Sequence, residues 1–139
     1  TLWPWRSAGA TALPQGAAHD LPGVTRIWVH HAPPAGTRVG CCADGHPPCG
    51  SAGLIERIRR HRPSLVVSGH IHDAPFRPQG RWWDEIGDTL CLNPGRQHGH
   101  EPAYIALDLD AREASWVSAA CRDDRPLPTA AATAIAGVA

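Results

Sequence analysis

Nine histidines stand in a chain of 139 residues that holds one Tyr, one Phe and no Met. Histidine is costly to bury and serves chiefly proton transfer and metal ligation, so its placement is informative. Two apolar runs end in it: Val29 leads into His30-His31-Ala32-Pro33, and Val67 leads into Ser68-Gly69-His70-Ile71-His72. Neutral imidazole is a good ligand for Zn, Fe, Mn and similar ions. One His in such a place is more often structural than ligating, but three at two adjacent strand ends reverse that preference. His70 and His72 lie two apart, where extended geometry alternates their direction, and two neighbouring ions suit that better than one shared ion. Gly69 permits a tight backbone turn just before the first of them.

The elements that must position these residues follow from local pattern. Val24–His30 is β-branched and aromatic, starts after Pro22-Gly23 and stops at Pro33-Pro34, which predicts a strand. Ser51 is placed to cap a helix through Leu54-Ile55-Glu56-Arg57-Ile58-Arg59-Arg60, with Leu54, Ile55 and Ile58 on one face and Pro63 as its stop. Leu65–Ser68 predicts a second strand. The order makes a β-α-β unit with parallel, buried strands, and ligands bind just beyond the carboxyl ends of such strands. A loop runs through Pro75, Pro78, Gly80, Trp82 and Trp83. Thr89–Leu92 predicts a third strand, closed by Asn93-Pro94-Gly95, and Ala103–Leu109 with Glu113–Ser118 predict a hairpin around Asp110-Ala111-Arg112. Residues 1–23 read as an irregular connecting segment, and residues from Ala119 to the end as a flexible tail.

Composition bounds the rest. Apolar residues at 42% and charged residues at 19% describe a globular chain of one domain. Thirteen basic residues, all Arg, balance thirteen acidic ones. Zero net charge gives no support to a nucleic-acid partner. No apolar run is long enough to span a membrane. The chain begins at Thr and lacks Met, which reads as part of a longer polypeptide. A cytoplasmic location is the default expectation.

Val29-His30-His31-Ala32-Pro33-Pro34, Gly69-His70-Ile71-His72 and Asn93-Pro94-Gly95 resemble, in order and spacing, the later motifs of calcineurin-like metallophosphoesterases. The resemblance covers residues 24 to 118. It implies an α/β fold, the C-terminal half of a metallophosphoesterase-type α/β/β/α sandwich. It further implies two divalent or trivalent transition-metal ions (Mn, Fe or Zn) in the complete protein. His31 matches the His of the His-x-Pro motif, so His31 and His70 would bind one metal and His72 the other. The implied reaction is hydrolysis of a phosphomonoester or phosphodiester by a hydroxide held between the two ions. The substrate-side candidates are His30, Asn93, Arg96 and His98, although Asn93-Pro94-Gly95 reads at least as well as a structural turn. The family's earlier motifs, Asp-x-His, Gly-Asp and Gly-Asn-His, are not found in these residues. The 139 residues alone are therefore expected to be inactive.

Two other readings compete. Cys41, Cys42, His46 and Cys49 invite a structural zinc loop, though adjacent thiolates fit the usual Cys-x2-4-Cys spacing poorly. Alternatively, the fold is a non-catalytic remnant that binds a metal or a partner. Trp82 and Trp83, like Trp3 and Trp5, are aromatic candidates for a substrate wall or partner surface, with packing on the last hairpin favoured for Trp82-Trp83.

Overall fold

The computed structural model describes residues 25–42, 49–97, 99 and 101–129. The expectations for residues 1–23, for Val24, Trp3, Trp5, His46 and His98, and for the last ten residues lie outside the described residues.

Three parallel strands form the floor of the site. β1 (Ile27–Val29), β2 (Leu65–Val67) and β4 (Thr89–Leu92) lie side by side, with Val29 opposite Val67 and Val67 opposite Leu92. β3 (Trp83–Ile86) completes this sheet as an antiparallel edge, in the order β1-β2-β4-β3. The sequence pattern leaves β3 as loop because Trp-Asp-Glu-Ile lacks a clean apolar face. Its registration against β4 is what makes it a strand.

The crossover between β1 and β2 carries α1 (Ala52–His61), as the β-α-β pattern predicts. Ser51 is its N-cap, and its hydroxyl accepts from the Leu54 amide at 3.3 Å. Arg59, Arg60 and His61 fill the last turn, where cations oppose the dipole, and Arg62 ends it in the left-handed region (φ 44°) ahead of Pro63. Leu54 and Ile58 face Val39, Val66 and Cys91, so α1 covers one face of the sheet.

The other face meets a second sheet. β5 (Tyr104–Asp108), β6 (Glu113–Val117) and β7 (Arg122–Pro126) are antiparallel in that order. Leu65, Leu90 and Leu92 pack there against Trp82, Ala114 and Trp116. The period-two alternation of β2 and β4 thus divides one sheet between two cores, and each buried large aliphatic contributes about 1.5–3 kcal/mol. The β5–β6 hairpin turns on Asp108, whose carboxylate accepts from the Asp110 and Ala111 amides at 3.0 and 2.7 Å.

β7 corrects the expectation of a tail from Ala119. Arg122-Asp123-Asp124-Arg125 has no apolar alternation, so sequence pattern does not reveal it. Side-chain bonds hold it in place instead: Trp82 Nε1 donates to Asp123 Oδ2 at 2.7 Å, and Arg125 pairs with Glu85 at 2.8 Å while lying 3.4 Å over the Trp83 ring. Trp82 also stacks on Trp116, with centroids 6.4 Å apart, which is the packing favoured for it over a substrate wall. The fold is α/β. No helix among the described residues is long and apolar enough to cross a membrane.

Candidate metal centre

The parallel pairing of β1 with β2 brings the two histidine segments out at the same end of the sheet. The ladder continues past the strands: the His30 amide donates to Val67 O at 2.9 Å, and the Gly69 amide to His31 O at 3.1 Å. These bonds fix the relative height of the two segments. The His31 and His70 rings then meet, with centroids 4.7 Å apart and planes tilted by 53°. An ion ~2.1 Å from one nitrogen of each ring lies ~3.2 Å from each centroid, which places the centroids ~4.5–5.3 Å apart for angles of ~90–109° at the ion. The observed separation falls within that span. Two imidazoles at this spacing are near enough to share one ion if a nitrogen of each is turned toward it, and the same spacing is that of a tilted ring–ring contact. Among the described residues no group of three or more His, Cys, Asp or Glu side chains converges.

His70 reaches His31 by an unusual backbone. It sits at φ 64°, and the Ile71 amide donates back to Gly69 O at 2.7 Å, closing a three-residue turn with His70 at its centre. A γ-turn with positive φ is rare and strained, and a non-glycine residue in this region costs on the order of 1–2 kcal/mol. Such outliers persist only where the surroundings over-determine them.

The over-determination comes from the turn after β4. Asn93 is fully buried, and its Nδ2 donates to Val39 O at 2.8 Å and to Ile71 O at 2.9 Å, while its Oδ1 accepts from the Gly95 amide at 2.9 Å. The second of these bonds clamps the histidine turn directly. Next, the Arg96 amide donates to His72 O at 2.9 Å. Gly95 lies at φ 67° and a Cβ there would come within 2.6 Å of His72 O, so only glycine allows this approach.

Asn93 is accordingly corrected as a substrate-side candidate. Its amide is buried and bonded within the protein at both ends, so it positions the histidine turn. The other candidates differ. His31, His70 and His72 are all exposed, but the structure brings together only the first two. His30 is exposed and its Nδ1 lies 2.7 Å from Ala32 O, turned to its own loop. Arg96 is exposed beside the histidine turn. Sequence reasoning passes over Arg77, which pairs at 2.9 Å with Asp73, the residue after His72, and their i,i+4 spacing is the signal that could have found it.

The cysteine loop is described in part: Cys41 is a free thiol, and His46 lies outside the described residues. Cys42 and Cys49 are joined by a disulfide, which removes two of the thiolates a zinc loop would use. Cys91, on β4, is buried, and its thiol is pushed from an ordinary 9.0 up to about 12 by burial and then by the Asp84 carboxylate. That thiol stays protonated and is a poor ligand.

No family model matches this chain, and no curated protein matches it. Two solved structures are similar to it. One is 16% identical, with a TM-score of 0.42, over 73% of this chain and 32% of its own. The other, TT1561 of Thermus thermophilus, is 20% identical, with a TM-score of 0.36, over 78% of this chain and 36% of its own. The chain thus spans about a third of the length of either.

Proposed function

We propose that this chain supplies one side of a dinuclear metal centre in a calcineurin-like metal-dependent phosphoesterase, on the later half of an α/β/β/α sandwich. The observation that supports it most is the meeting of His31 and His70 at the carboxyl ends of adjacent parallel strands, through a strained turn that Asn93 holds. His31 and His70 would hold one ion and His72 the other. When bound, two such ions supply Lewis acidity toward a phosphoryl oxygen and acidify water as a nucleophile.

The chain's own residues do the positioning. Gly69 and His31 tie the two ligand segments together, Asn93 and Gly95 lock the histidine turn, and Arg96 presents a cation beside it. The remaining ligands would come from polypeptide outside the described residues. β1 offers a place for it to join: among the described residues it is an edge strand, and Ile27 and Val29 are 38% and 84% exposed.

That open edge also favours a second reading, in which the domain binds a partner and hydrolyses nothing. Turnover of an aryl phosphate by the complete protein separates the two. The phosphoesterase loses about a hundredfold or more on His70→Ala or His72→Ala, given the weight a metal carries in such reactions. Undiminished turnover in both variants, or no turnover in the metal-loaded wild type, would overturn the proposal.

A further inference from the structure

The cleft next to the histidine turn has features that the metal centre does not use. It holds about 420 Å³ and is lined by Asp73, Phe76, Arg77, Pro78, Arg96 and Gln97. Arg77 is anchored by Asp73 at 2.9 Å, and its Nε is buried without a hydrogen-bond partner among the described residues. Asp73 holds that guanidinium in place through one of its nitrogens, and the Asp73 bond leaves its other donors uncommitted. Arg96 has no side-chain partner among the described residues, so the cleft keeps one positive charge beyond the Arg77–Asp73 pair. Gln97 Oε1 accepts from the Ala119 amide at 3.0 Å, which fixes the amide and leaves its NH2 as a donor. Phe76 is 45% exposed yet braced against Trp116, with ring centroids 5.6 Å apart.

We propose that this cleft is an oxyanion-binding subsite that also seats a planar ring. Arg96, with Arg77 and the Gln97 NH2, receives a carboxylate or phosphate group, because guanidinium donors match planar or tetrahedral oxyanions. Phe76 forms a rigid platform for an adjoining aromatic ring. The link to the metal centre is short: Asp73 follows His72, and the Arg96 amide is bonded to His72 O. On the phosphoesterase assignment above, on which this part rests, the substrate is two-ended. Its ester lies at the histidines, and a second anionic group on an aromatic body lies in the cleft.

The test uses the complete protein stripped of metal, titrated with phenyl phosphate and separately with inorganic phosphate. Amide chemical shifts around residues 73–78 and 96–97 report binding, and far-UV circular dichroism checks that each variant folds. Phenyl phosphate is expected to bind in the millimolar range and more tightly than inorganic phosphate. Arg96→Ala weakens both probes about tenfold, a typical loss for one charge-assisted contact, while Arg96→Lys recovers part of it. Phe76→Leu, which keeps packing on Trp116, removes the preference for the aryl probe. No shift in the wild type up to about 50 mM, or folded Arg96→Ala binding as well as wild type, overturns the subsite.

A parallel titration with Zn²⁺ alone keeps the two proposals apart. Oxyanion binding without histidine-dependent metal binding defeats the phosphoesterase assignment and leaves the cleft standing. The reverse result defeats the cleft alone.

Discussion

The turns that follow β2 and β4 leave neighbouring parallel strands at the same edge of one sheet, yet they are built in opposite ways. The turn after β2 exposes its histidines, holds His70 at φ 64° and closes on a single short backbone bond from Ile71 to Gly69. The turn after β4 buries Asn93 completely and uses its amide in three hydrogen bonds, one of them to Ile71 O inside the first turn. One turn carries reactive groups and the other carries the restraint. A strained loop that presents imidazoles to solvent cannot hold itself, so its fixity comes from the neighbouring strand.

Substitutions that break this division should differ in sign as well as size. The largest effect is expected from Asn93→Ala, which leaves Val39 O and Ile71 O without their donor and opens a buried gap. Urea denaturation should show a loss of about 3 kcal/mol. A loss below about 1 kcal/mol would mean that the turn after β4 is not the restraint. Gly95→Ala comes next, because a Cβ there meets His72 O at 2.6 Å and φ is 67°. A loss of about 2 kcal/mol is expected, with shifted His72 resonances.

His70→Gly should act in the other direction. Glycine relieves the left-handed backbone, so unfolding free energy should stay level or rise by up to about 1 kcal/mol, while metal affinity falls. Stability and ligation then separate at one residue. A substantial stability loss would show that the ring, not the backbone, is what the turn is built around.

The smallest effect is expected on β7, away from both turns. The Asp124 carboxyl is held below its usual 3.8 by the Ser115 hydroxyl and then by Arg122, which lies 2.8 Å away. Its contribution is present above the unfolded carboxyl's range and lost as pH falls through the lower folded value. Asp124→Asn should therefore cost a little stability at neutral pH and nothing in strong acid, with metal binding unchanged. A change in metal affinity would show that the second sheet and the site are coupled.

Much of this is legible in the residues. Pro-Gly, Ser51 and Pro63 bound the β-α-β unit, and parallel pairing then places His31 against the Gly69-His70 segment. Local pattern does not reveal the restraint. Nothing in Asn93-Pro94-Gly95 says that its amide reaches Val39, 54 positions back, or Ile71. β3 and β7 are also hidden, since Trp82, Trp83, Glu85, Asp123 and Arg125 hold each other through tertiary bonds and carry no period of their own. The cleft at Arg77 and Arg96 joins two segments that only the sheet brings together.

The central claim is that His31 and His70 form one ligand pair, and calorimetric titration of the complete protein, stripped of metal, with Zn²⁺ tests it most directly. Zn²⁺ should bind the wild type and the His30→Ala variant alike. It should bind His31→Ala and His70→Ala at least about tenfold more weakly, as expected when one of few donors is removed. Equal affinity across all four proteins would contradict the account.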